Sequence, residues 1–189
     1  VICPSSLVYN WQDEFEKFSG KVRVTVCNGV PSDRKLIIEG IQSWDVIITS
    51  YPLLRRDVIF YQDIIFDTVF IDEAQFIKNA TSQNAQSVKL LRAAHRFALT
   101  GTPVENSLSE LWSIFDFLMP GYLMSHSKFV QHFEKKIMNN DKVVLSHLNS
   151  RVRPFILRRM KKDVLKELPD KIEEKVVTEM TEEQKKIYL

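Results

Sequence analysis

The run Phe66-Asp67-Thr68-Val69-Phe70-Ile71 passes without a break into Asp72-Glu73-Ala74-Gln75. A strand buried on both faces reads as a nearly continuous apolar run. Where such a strand ends, its last side chains enter the crevice in which α/β proteins bind ligands. Two adjacent carboxylates delivered there suit phosphate chemistry. The first can hold Mg2+, directly or through water, and the second can orient or deprotonate an attacking water. Taken alone, the pair would serve simply to cap the next helix; the rest of the chain argues against that reading.

Strand and helix signals alternate along the chain. Val1 to Cys3 reads as a buried strand, and Ser5 or Ser6 can cap a helix to about Phe18, along which Leu7, Trp11, Phe15 and Phe18 recur at helical spacing. Val22, Val24 and Val26 alternate as a second strand, closed by an Asn28-Gly29 turn. A short helix starts at Ser32-Asp33 and stops near Gly40; a third strand runs from Asp45 to Thr49; a helix from about Pro52 to Tyr61 follows. Beyond the carboxylates, Gln83 to Ala94 predicts a helix, Arg96 to Leu99 a strand, and Ser109 to Leu118 a helix stopped by Pro120-Gly121. This alternation predicts an α/β fold with a mainly parallel sheet and helices on both faces.

The pattern changes after Gly121. Ser125 to Arg153 carries helical spacing only, a basic segment follows at Arg158-Arg159-Met160-Lys161-Lys162, and Pro169 marks a connector into an alternating charged strand, Lys171 to Glu179. The expected organisation is a first lobe over 1–121, a helical protrusion over 122–153, a basic connector over 154–170 and the start of a second lobe over 171–189. The chain opens inside a strand without an initiator Met and stops inside a helical pattern, so a segment of a longer protein, truncated at both ends, is expected.

Composition bounds the function classes. A hydrophobic fraction of 44% with 26% charged residues is that of a folded globular protein. No apolar run approaches the roughly 20 residues a membrane-spanning helix needs. The only cysteines, Cys3 and Cys27, lack metal-ligand spacing, which favours a reducing cytoplasm or nucleus. With a net charge of only +2, nucleic-acid binding has to rest on local patches.

Three further motifs end strands. Leu99-Thr100-Gly101-Thr102-Pro103 follows the strand after the carboxylate strand; Gly101 permits a tight turn, and both Thr hydroxyls can reach toward the carboxylates or a phosphate-bound water. Cys3-Pro4-Ser5-Ser6-Leu7, with Asn10-Trp11 beyond, puts hydroxyls and free N–H groups at a helix N-terminus, and Ile48-Thr49-Ser50-Tyr51 does the same on another strand. Backbone phosphates of a nucleic acid are ligands for both; singly, each motif also reads as a turn or a helix cap.

Taken together, these motifs resemble the Swi/Snf-type ATPases of helicase-like superfamily 2. The resemblance is carried in order by V-I-C-P-S-S-L-V-Y-N-W from Val1, V-I-I-T-S-Y from Val46, D-E-A-Q-F-I-K-N from Asp72, L-T-G-T-P-V-E-N from Leu99, L-W-S-I-F-D-F-L-M-P-G from Leu111 and P-F-I-L-R-R-M-K-K-D-V from Pro154. It implies a RecA-like lobe, ATP and Mg2+ as cofactors, double-stranded DNA as partner, a DNA-bound protein complex as remodelling target, and action as a monomer. Asp72 would coordinate Mg2+ and Glu73 would polarise the attacking water. Gln75, Thr100, Gly101 and Thr102 would couple nucleotide state to DNA contacts. Pro4, Ser5, Ser6, Thr49, Ser50 and Tyr51 would touch one DNA strand, and Lys78 and Asn79 would help fix the carboxylate loop. Arg158, Arg159 and Lys161 would contact DNA or brace one lobe against another. The compact spacing from Leu99 to Gly121 favours a bacterial source and its nucleoid, with the nucleus as the eukaryotic counterpart.

The sequence carries no G-x-G-K-T phosphate loop and no second-lobe arginine finger, so the expectation is that the parent protein hydrolyses ATP and that these residues alone do so poorly. A non-catalytic nucleic-acid-binding or interaction module is the alternative. The intact Asp72-Glu73 pair weighs against it. A two-metal nuclease ranks last, for want of further clustered carboxylates.

Overall fold

Consecutive strand residues face opposite sides of a sheet, and strand β1 (Ile2–Cys3) shows the consequence directly: Ile2 packs into one core cluster and Cys3 into another. The computed structural model describes residues 1–102, 107–159, 174 and 180–188. They fall into two units, Val1–Leu148 and Asn149–Leu189.

The first unit is built on five strands: β1, β2 (Val24–Val26), β3 (Val46–Ser50), β4 (Ile65–Ile71) and β5 (Arg92–Ala98), in the order β2-β3-β1-β4-β5. All neighbouring pairs are parallel. Helix α1 (Val8–Ser19) covers one face, where Val8, Trp11 and Phe15 pack on Cys3, Ile48 and Val46. Helices α2 (Pro31–Glu39), α3 (Tyr51–Asp57), α4 (Gln83–Leu90) and α5 (Leu108–Leu118) cover the other through Ile38, Leu54, Val88, Ile114 and Phe117. The parallel α/β architecture therefore agrees with the sequence reading. α5 is buried along most of its length, Glu110 and Ser113 included.

Past Gly121 the described chain is helical. α6 (His126–Phe129), a π-helical turn (Val130–Glu134) and α7 (Lys135–Met138) follow one another directly, and α8 (Lys142–Val152) comes next. In the second unit a 3₁₀ turn (Arg153–Phe155) and α9 (Glu182–Tyr188) are described. The expected strand at Lys171 to Glu179 lies outside the described residues apart from Glu174.

Three local expectations are corrected. Helix α4 ends at Leu90, and Arg92 to Ala94 join β5, because β5 pairs with β4 from Ile65↔Arg92 to Ile71↔Ala98. A ladder of that length outweighs the helix preference of two alanines, which is worth a few tenths of a kcal/mol per residue. Helix α3 stops at Asp57 and tightens into a 3₁₀ turn, Val58–Tyr61. Neither Ser5 nor Ser6 caps a helix: they lie in a 3₁₀ turn, Ser5–Leu7, that begins at Pro4 without a side-chain cap bond.

One buried ion pair ties two helices together. Arg34 of α2 meets Asp57 of α3 through Nε at 2.5 Å and Nη2 at 2.8 Å, and its Nη1 donates to the Gly29 carbonyl at 2.6 Å. Both side chains are nearly shielded from water, at 4% and 6% exposure. Removing one partner leaves a buried charge uncompensated, so Arg34→Ala should lower unfolding stability by about 3–5 kcal/mol. Arg34→Lys should recover only part, because an ammonium cannot make the bidentate contact. Urea denaturation of the three proteins measures both effects.

Candidate functional site

Strand register brings the motifs to one edge. Ile2 pairs with Thr49 on one side and Ile71 on the other, and Ile71 pairs with Ala98. Pro4, Tyr51, Asp72 and Leu99 therefore leave the sheet at its C-terminal edge, where α/β folds bind ligands. The ladder continues past the strands: Asp72 N–H donates to the Ile2 carbonyl, Leu99 N–H to Ile71, and Ala74 N–H to Leu99, each at 2.8 Å.

Both carboxylate oxygens of Asp72 are held. Oδ2 accepts from the Trp11 indole Nε1 at 2.9 Å, and Oδ1 from the Glu73 backbone N–H at 2.8 Å. An ionised carboxylate offers about four lone-pair directions, so two remain for a metal ion or its waters. Oxygen donors of this kind fit Mg2+, which uses one or two carboxylates together with substrate phosphates. No group of three or more His, Cys, Asp or Glu side chains suited to a metal ion occurs among the described residues.

Glu73 adopts a left-handed backbone, φ 51° and ψ 56°. A non-glycine residue there carries about 1–3 kcal/mol of strain. Its Oε2 accepts from Gln75 Nε2 at 2.6 Å; Gln75 Oε1 accepts from the Thr100 hydroxyl at 2.9 Å; and Thr100 Oγ1 accepts from Thr102 N–H at 3.1 Å. Three side chains the sequence assigned to catalysis and coupling, Glu73, Gln75 and Thr100, thus form one relay with the Thr102 main chain, and exposed Gly101 sits in the turn between the threonines. The carboxylate loop is anchored to α5: the Ser113 hydroxyl donates to the Ile77 carbonyl at 2.6 Å, and Lys78 lies 3.7 Å from Glu110. Asn79 Oδ1 accepts from Thr81 N–H at 3.0 Å and so shapes its own turn.

The residues assigned to nucleic acid divide into two groups. Ser5 and Ser6 are exposed and Pro4 is half-buried. Thr49, Ser50 and Tyr51 are buried at 4%, 3% and 1% exposure. Thr49 Oγ1 turns inward to the Cys27 carbonyl at 3.4 Å, and Tyr51 donates its phenol to the Asp72 carbonyl at 2.7 Å while stacking on Phe76. Burial, with the nearby Asp72 charge second, pushes the Tyr51 phenol well above its ordinary range, so it stays a donor. Ser50 lines a cleft of about 170 Å³ shared with Ser5, Asn28 and Arg56. Arg158 and Arg159 are exposed in the second unit, and Lys161 lies outside the described residues.

Sequence reasoning missed Trp11 and Arg56 as site residues. Trp11 sits at core spacing on α1, and nothing local signals an acceptor 61 positions away. Arg56 was one of two adjacent arginines on a helix, and only the fold selects the one that lines the cleft with Ser5.

The whole chain, residues 1–189, matches the model of the SNF2-related domain. It is 38% identical over all of its length to the TATA-binding protein-associated factor MOT1 of Saccharomyces cerevisiae, of which it spans 11%. It is 40% identical over all of its length to an uncharacterized ATP-dependent helicase of Mycoplasma genitalium, of which it spans 18%. Among solved structures it is similar to the Sulfolobus solfataricus SWI2/SNF2 ATPase core in complex with dsDNA: TM-score 0.79 and 40% identity over 99% of this chain and 39% of that one. The five-stranded parallel sheet with flanking helices is part of that similarity.

The relay makes a thermodynamic prediction. Gln75→Ala and Thr100→Val should each destabilise the chain by about 1 kcal/mol, the net worth of an ordinary hydrogen bond. The double substitution should cost less than the sum, because both remove the same bond. Chemical denaturation of the four proteins reads the coupling.

Proposed function

The chain belongs to the SNF2-related domain family, and on that footing we propose that it is part of the first motor lobe of a DNA-stimulated ATPase. The parent protein translocates on double-stranded DNA and remodels protein–DNA complexes. The observation that carries the reading is the shared edge, where Asp72, Glu73, Gln75 and Thr100 lie on the same rim of the sheet as Ser5 and Ser6. The similarity to a core solved with dsDNA supports duplex DNA as the ligand of that rim.

In this reading Asp72 would hold Mg2+. When bound, the ion would supply neutralisation of phosphate charge. Glu73 orients the attacking water and accepts its proton, and the Gln75 amide fixes the carboxylate for that task. Thr100 holds Gln75 in turn, so a shift of the Thr100-Gly101-Thr102 turn reaches Glu73 through two hydrogen bonds. Ser5, Ser6 and Arg56 supply donors and positive charge to the DNA backbone, an electrostatic contact that weakens with salt. Arg158, Arg159 and Lys161 add basic contacts from the connecting segment.

The phosphate-loop lysine and the arginine finger supply much of the binding and transition-state stabilisation in such motors. These residues alone should therefore turn over ATP poorly. Phosphate release from ATP, measured with and without double-stranded DNA, tests the reading on this chain and on a protein extended through both lobes. DNA should stimulate only the extended protein, and Glu73→Gln should abolish turnover while the melting temperature stays within a few degrees. Retained DNA binding with no turnover in the extended protein would favour the non-catalytic module.

A further inference from the structure

Two aromatic side chains converge on Asp72 from the two hydroxyl-bearing segments of the rim. The first segment carries the exposed Ser5 and Ser6 and runs straight into α1, on which Trp11 donates its indole N–H to Asp72 Oδ2 at 2.9 Å. The second carries Ser50 and runs into α3, whose first residue, Tyr51, donates its hydroxyl to the Asp72 carbonyl at 2.7 Å. Neither ring is free to choose. Trp11 lies against Phe15 with centroids 6.0 Å apart, within the cluster that seats α1 on the sheet. Tyr51 is 1% exposed and stacks on Phe76, 5.2 Å between centroids and 7° from parallel.

We propose that Trp11 and Tyr51 are positioning residues that fix Asp72 and carry occupancy of the nucleic-acid rim to it. The inference rests on the rim being the DNA-binding edge. The geometry makes the link short. Ser6 and Trp11 are five residues apart, joined by a 3₁₀ turn and the first turn of α1, about 8 Å of nearly rigid helical chain. A backbone phosphate seated on Ser5 and Ser6 moves the start of α1, and the indole N–H moves with it. An indole nitrogen is a donor only, pointing in one direction, so a small rotation of α1 lengthens its bond to Oδ2 and swings the carboxylate. Tyr51 clamps the backbone of the same residue, so the carboxylate turns on a fixed main chain. Asp72 is thus bonded by both segments.

The indole signals provide a test that needs no nucleotide and no turnover. The protein has three tryptophans, and each gives a separate indole N–H resonance in a nitrogen-15 correlation spectrum. Trp11→Phe identifies the Trp11 signal. Trp112, whose indole donates to the Met124 carbonyl at 3.1 Å, serves as an internal control. Asp72→Asn should shift the Trp11 signal and speed its exchange with solvent about tenfold, leaving Trp112 unmoved; a Trp11 signal indifferent to Asp72→Asn overturns the proposal. A short DNA duplex, with binding followed independently by fluorescence anisotropy, should then shift the Trp11 signal in wild type, and Tyr51→Phe should enlarge that shift. Duplex binding without movement of the Trp11 signal overturns the coupling while leaving the DNA-motor reading in place. Failure of the duplex to bind overturns both.

Discussion

Parallel pairing of a two-residue strand holds this protein in register. β1 contributes only Ile2 and Cys3, yet it sits at the centre of the sheet, with β3 on one side and β4 on the other. The backbone of Ile2 accepts from Asp72, and that of Val1 from Thr49. A slip of one residue there would turn Ile2 and Cys3 to the wrong clusters. It would also carry the Ser5–Ser6 turn away from Asp72, with Trp11 behind it. The geometry of this edge therefore depends on a backbone ladder before it depends on any side chain.

From that register comes a site in which little is left loose. Asp72 is held at both oxygens and at its carbonyl, and Glu73 through Gln75 to Thr100. Bonds of neutral donors to an ionised carboxylate are individually worth about 1.5–3 kcal/mol, enough to fix side-chain directions ahead of any ligand. Fixed direction is what phosphoryl chemistry asks of a protein, since catalysis there is mostly positioning and charge stabilisation. The left-handed backbone at Glu73 belongs to the same economy: the loop is bent away from a relaxed conformation so that the second carboxylate meets Gln75.

Strand and helix order was legible because period is a local property. Alternation of apolar residues with turn signals predicted every strand of the first unit, with ends displaced by a few residues. The displacement at Arg92–Ala94 has a clear origin: alanines favour a helix, and only pairing with β4 makes them strand. The serines before α1 read as caps because Ser at a helix start usually caps. The 3₁₀ turn takes that task from them and leaves their hydroxyls at the surface. Thr49 and Tyr51 were assigned to the ligand by their place in a motif; their side chains bond the Cys27 and Asp72 carbonyls, contacts that no local pattern signals.

The identity and order of the chemical groups were settled by the sequence itself: two carboxylates after an apolar strand, an amide two residues on, and a threonine turn after the next strand. These are facts of composition and spacing, and so is the family they mark. Tertiary structure alone decided who touches whom. Trp11 and Asp72 are 61 positions apart, and Gln75 and Thr100 are 25 apart. Their meeting follows from strand order and register, which no local period encodes. A side chain's spacing reports the face it occupies; the partner on that face is chosen by whichever distant strand the sheet places alongside.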